Sequence, residues 1–131
     1  MSCFWQAVTR KIAALKNHDP STVIRALQSV NCLTKDVRWD QEVLSAKLLE
    51  ENFEWVKEYN PLQYSNGHDT SICDPFLLLI CQVYCVNLVH VYTGPNFEGG
   101  RQRGQVKTTH KYEHPKATST VHFQSSVGHF T

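Results

Sequence analysis

The sequence predicts an α+β domain, and two observations carry that prediction. Apolar residues recur with helical spacing through the first half of the chain, whereas β-branched and alternating stretches are confined to the second half. The two halves meet between Asp74 and Tyr92. From Phe76 to Cys85 nearly every residue is apolar, as in a helix buried on most sides; from Val86 the composition becomes rich in valine, and Val86, Leu88, Val89 and Val91 read as a buried strand. Helices packed on a small, mostly antiparallel sheet are the expected architecture.

Taken in order, residues 3–16 place Phe4, Val8, Ile12 and Leu15 on one helical stripe, with Cys3 at the first turn. Asp19-Pro20 is a helix start, a capping carboxylate followed by the residue whose missing N–H costs nothing at the first helical position. Val23, Ile24, Leu27 and Val30 form the apolar face of that second helix. Residues 31–39 read as a connector. Asp40 is the expected cap of a third helix reaching about Tyr59, with Val43, Ala46, Leu49, Phe53 and Val56 buried and Trp39 and Trp55 at the core rim. Asn60-Pro61 ends it, and residues 61–72 are polar, with Asn66-Gly67 as a turn. Asp74-Pro75 repeats the cap-and-start device for the central helix. The glycine- and arginine-rich stretch from Gly94 to Gly104 reads as a mobile loop. Gln105–Tyr112 and Ser119–Gln124 read as strands, and Ser125-Ser126-Val127-Gly128 as a turn before the final His129-Phe130-Thr131.

With 131 residues, one domain over 1–131 is expected, long enough to bury roughly two-thirds of its unfolded surface. A formal net charge of +1 supplies no global field for nucleic acid, and the apolar run 76–91, interrupted by Gln82 and Asn87, is too short to span a bilayer. Neither a membrane nor nucleic acid is an expected partner, and a monomer is expected. Five cysteines are an odd count, which favours reduced thiols and a cytoplasmic setting over a disulfide framework.

Thiol chemistry needs a cysteine whose thiolate is supported and a histidine within reach. Helix N-termini support negative charge through the dipole and the free backbone N–H groups, which also suit an oxyanion. Cys3 stands at such an end. Cys81 and Cys85 lie inside an apolar helix, Cys32 in a connector, and Cys73 beside the charge of Asp74. Among seven histidines, His129 lies at a strand end, between a glycine and an aromatic residue, where a ring can be held against a cleft. His90 falls within the apolar strand and reads as a core histidine. Two other patterns compete. Cys81, Cys85, His110 and His114 form a Cys-x3-Cys and His-x3-His set that zinc can use. Arg101, Arg103, Lys107, Lys111 and Lys116, opposed by Glu113 alone and interleaved with His110, Tyr112 and His114, form a basic stretch that can touch RNA.

The segment Ser2-Cys3-Phe4-Trp5-Gln6-Ala7-Val8 resembles the nucleophile segment of the ovarian-tumour (OTU) class of cysteine proteases, in which the cysteine is followed by an apolar, an aromatic, a polar, a small and an apolar residue. Asp74–Tyr92 resembles the helix-then-strand core of that class, and Val121-His122-Phe123 through Gly128-His129-Phe130 resembles its last strand. The order is most similar to the compact OTU-like proteases of positive-strand RNA viruses, of which the tymovirus protease is the type. The resemblance implies a papain-like fold, Cys3 as nucleophile, His129 as general base, no cofactor, and cleavage of a viral polyprotein, of ubiquitin or ubiquitin-like conjugates, or of both, in the host cytoplasm. Cellular OTU enzymes carry an Asp three residues before the cysteine, a position this sequence lacks; the tymovirus type works with a Cys–His dyad. A second register aligns Asp19-Pro20-Ser21-Thr22-Val23-Ile24-Arg25-Ala26 with the cellular motif, with Thr22 in the place of the cysteine. That register implies a catalytically inactive interaction module.

Overall fold

The computed structural model describes residues 3–63 and 70–131, leaving out the side chains of 70–72 and 98. The Asn66-Gly67 turn lies outside the described residues. At the centre is helix α4 (Thr70–Tyr84). Phe76, Leu77, Leu78, Leu79, Ile80 and Cys81 are all at most 1% exposed, so every side of this stretch is covered. The helix starts a turn earlier than the Asp-Pro pair predicts, with Pro75 inside it. Asp74 is therefore not the cap: its carboxylate accepts the hydroxyl of Tyr112 on the neighbouring sheet. The helix gives way at Cys85, which takes a left-handed φ of 50° and turns the chain into the sheet.

Six strands follow in the order β2-β1-β4-β3-β5-β6. Strands β3 (Asn87–Glu98) and β4 (Arg101–Glu113) form a long antiparallel hairpin around Gly99-Gly100, both with positive φ, as a two-residue turn between twisted strands requires. The predicted loop over 94–104 is thus the outer arm of this hairpin. Its proline is accommodated at a register shift between Pro95 and Phe97, on a stretch of β3 that pairs with β4 alone. Strand β5 (Thr120–Ser126) runs parallel to β3, and every other pairing is antiparallel. The turn Val127-Gly128, with Gly128 at φ 76°, leads into the two-residue strand β6 (His129–Phe130) at the sheet edge. Ser125 and Ser126, expected in a turn, belong to β5.

Two short strands, β1 (Arg38–Trp39) and β2 (Glu42–Val43), occupy the region predicted to open the third helix. Asp40 and Gln41 form their turn, with φ of 51° and 69°, and Asp40 spends its carboxylate on the Lys111 N–H (2.8 Å) and the His110 ring (3.0 Å). Helix α3 (Ala46–Glu58) is capped instead by Ser45, whose hydroxyl accepts from Leu48 N–H at 3.1 Å. Its buried face is narrower than predicted. Val56 and Asn52 are buried, whereas Val43, Phe53 and Trp55 are 51%, 41% and 49% exposed. Helix α2 (Pro20–Val30) starts as predicted, with the Asp19 carboxylate accepting from Ser21 and Thr22 N–H. Helix α1 (Cys3–Lys11) is shorter than its periodicity suggests. Ala13–Leu15 tightens into a 3-10 turn, yet Phe4, Val8, Ile12 and Leu15 are all buried.

The core-facing side of the sheet presents Leu88, Tyr112, Phe123 and Phe130 to the helices. Aromatic edges join the layers: Trp5 meets Phe76 at 4.9 Å, and Phe4 meets Phe130 at 5.0 Å. The opposite side is open, with Lys107, Thr109, Lys111, His122 and Gln124 exposed. Among the described residues no helix is long and apolar enough to cross a membrane.

Phe130→Ala should cost about 3–5 kcal/mol in denaturant unfolding, because its ring lies against Phe4, His90 and Phe123 with 1% exposure. A cost below about 1 kcal/mol contradicts the packing of β6. Burial raises the Asp74 carboxyl above its ordinary range, outweighing the Tyr112 hydrogen bond that opposes the shift. A raised folded value favours the neutral form, so this contribution to stability is present at low pH and is lost as pH rises through the raised value. Asp74→Asn keeps an acceptor for Tyr112 and should flatten that decline. The check is the wild-type minus variant difference in unfolding free energy between about pH 4 and pH 7.

Candidate functional site

Strand alternation determines how the chain ends meet. Gln124 and Thr131 exchange both backbone hydrogen bonds, at 2.8 and 2.7 Å. The Phe130 N–H must therefore point away from β5, toward the free edge of β6. The N-terminus of α1 closes this edge. The Phe130 N–H donates to the Sγ of Cys3 at 3.2 Å, across 127 residues of sequence. Cys3 is half-buried as the first described residue of α1. The Cα of His129 lies two bonds, about 2.4 Å, from that same amide nitrogen.

His129 itself is exposed. Phe130 points into the core, so the preceding side chain leaves on the open face. There it lines a groove of about 390 Å³ with Val91, Thr93, Lys107, Gln124, Ser126 and Thr131. The thiol is thus hydrogen-bonded to the amide that follows His129 rather than to the imidazole. The motif order places the strand of His129 beside the 86–92 strand, but β6 is not a neighbour of β3; β5 stands between them. The Cys3 sulfur thus lies against the peptide that follows His129, at the sheet edge, while the His129 side chain lines the groove on the open face.

The other thiols occupy different surroundings. Cys73 and Cys81 are buried, and burial pushes the Cys81 thiol up to about 12. Cys85 is half-buried with its thiol toward the Gln82 carbonyl, and Cys32 is exposed. All five are free. Thr22 is exposed in the first turn of α2. The zinc-type set is dispersed: His110 holds Asp40, His114 Nδ1 accepts from Lys116 N–H at 3.1 Å, and Cys81 is inside the core. Among the described residues no three His, Cys, Asp or Glu side chains gather as a metal site.

One polar seam escaped the sequence reading. His90 is buried, as expected, but its Nε2 lies 2.5 Å from the hydroxyl of Ser125, itself only 6% exposed. The pair ties β3 to β5 on the core-facing side. With Cys73, Asp74, Tyr92, Thr108 and His110 it lines a cavity of about 380 Å³ between α4 and the sheet. The signal was the shared phase of Leu88, His90 and Tyr92 along the strand, which placed the ring inward but not its partner.

Alkylation of the folded protein should follow this burial. Iodoacetamide should modify Cys32 and Cys3 well before Cys73 and Cys81, as read by peptide mass spectrometry. Equal rates at Cys81 and Cys32 would contradict the packing of α4.

Comparison of the chain with protein-family models, with curated proteins and with solved structures returned no match.

Proposed function

We propose that this chain is a cysteine peptidase of the OTU-like, tymovirus-protease type, acting on ubiquitin or ubiquitin-like conjugates or on a viral polyprotein in the host-cell cytoplasm. The observation that supports it most directly is the 3.2 Å contact between Cys3 and the amide following His129. It places a thiol at a helix N-terminus against the strand that carries the candidate base.

In this reading the His129 imidazole removes the Cys3 proton, and the thiolate attacks the scissile carbonyl carbon. The carbonyl π electrons move to oxygen, where backbone N–H groups at the start of α1 offset the charge. The intermediate collapses by breaking the C–N bond, and the imidazolium protonates the departing amine. Water then attacks the thioester, giving its proton to His129; the acid product leaves and the thiol is restored. The ring is oriented by the groove wall, Thr131 included.

The rival is a non-catalytic module in the Thr22 register. A ubiquitin probe with a C-terminal electrophile should form one adduct, at Cys3, and Cys3→Ala should abolish adduct and turnover. His129→Ala should slow turnover at least about a hundredfold, and Thr22→Ala should leave it unchanged. Absence of an adduct together with reversible ubiquitin binding supports the module. Reactivity created by Thr22→Cys in a protein otherwise inert would replace the Cys3 assignment.

A further inference from the structure

The open face of the sheet is polarised, although the chain as a whole is nearly neutral. Lys107 and Lys111 share the open-face phase of β4, and the register shift near Pro95 ends that phase before Arg101 and Arg103. Register partners on β3 leave Lys107 beside Thr93 and Lys111 beside Val89, both neutral. The acids near this face lie at its β1 side, Asp40 held by the Lys111 N–H and the His110 ring and Glu113 opposite Arg38. Among the described residues, neither Lys107 nor Lys111 has an ion pair. Among the described residues, Lys107 is the cation that lines the groove beside His129, and the other walls carry no Lys, Arg, Asp or Glu.

The pairings fix the distance between these two residues. Lys107 pairs with Thr93, Tyr92 pairs with Ser125 so that Thr93 comes level with Ser126, and Ser126 pairs with His129. Lys107 and His129 therefore stand on one row across four adjacent strands. Three inter-strand steps of about 4.8 Å put their backbones about 14 Å apart. An extended peptide crossing the row covers that distance in about four residues.

We infer that this groove is the substrate subsite for an acidic side chain, held by Lys107 about three to five residues from the bond cleaved at Cys3. The inference rests on the peptidase reading above. The occupant is a polypeptide rather than a nucleic acid because the row offers no Phe, Tyr or Trp on which bases stack. Tyr92 and Tyr112 are in the core-facing phase, and Phe97, exposed in the same phase of β3 as Thr93, stands four residues further along the strand, past the register shift and outside the groove.

The test uses an internally quenched peptide library with the full chain. At the positions three to five residues from the cleaved bond, Asp or Glu should raise kcat/KM about fivefold over Asn or Gln. The gain should come mainly through KM and shrink in 0.5 M salt. Lys107→Gln should erase the preference and Lys107→Glu should reverse it toward Lys or Arg, with circular dichroism unchanged. A preference that survives Lys107→Gln, or no difference between acid and amide, overturns the subsite. If no peptide is cleaved and Cys3 is not labelled by the ubiquitin probe, the peptidase reading fails. Fluorescence anisotropy of the same acidic and amide peptides then decides the groove: equal binding overturns it, and an acid preference lost in Lys107→Glu retains it as a binding site. Binding of a single-stranded oligonucleotide in place of the peptides, lost in Lys107→Glu, overturns the polypeptide assignment.

Discussion

Burial of α4 on every side is the constraint from which the rest of the structure follows. A helix with six successive residues at or below 1% exposure needs a complete wall around it. The sheet supplies one side through Leu88 and Tyr112; Trp5 and Tyr59, from α1 and the end of α3, close on Phe76 from another. Covering one helix this way uses all the helices on one side of the sheet. The other side is left open, and the groove lined by Lys107 and His129 lies there.

Complete burial has a polar cost, and the sequence meets it with pairs. Asp74 sits near the helix start, where desolvation disfavours its charge, and Tyr112 answers with a hydroxyl whose own ionisation is suppressed by burial and by that carboxylate. His90 and Ser125 make a second pair, across β3 and β5. Unsatisfied groups of these kinds cost more than their hydrogen bonds contribute, so each pair fixes strand register as firmly as an apolar contact does.

The edge strand β6 links this architecture to the proposed chemistry. An open edge presents unpaired N–H groups, and β6 is kept short and covered by the start of α1. Phe130 anchors the strand between Phe4 and Phe123, so the edge amide and the Cys3 sulfur are held by core packing rather than by a loop. His129, one position earlier, is freed to the open face by the same alternation. One feature thus protects the edge, holds the thiol against β6 and leaves the imidazole exposed beside the groove.

The sequence alone determined much of this. The stripe Phe4, Val8, Ile12 and Leu15, the Asp19-Pro20 start, the apolar 76–85 segment and the alternation around Phe123 each follow from local periodicity or capping, which depend on neighbours in the chain. The meeting of the two termini was expected from the arrangement of motifs, and the contact between Cys3 and the β6 backbone is consistent with it. Tertiary structure decided what local rules leave open. Asp40 and Asp74 both look like caps, but each carboxylate found a stronger claim on β4, and the helices began at Ser45 and Thr70 instead. Gly94–Gly104 has the composition of a loop, yet Gly99-Gly100 suits a tight turn and the flanking residues pair across it. The face taken by His129 was also undetermined by sequence: a side chain's direction in a two-residue strand is fixed by the buried partner next to it, and Phe130 took the core.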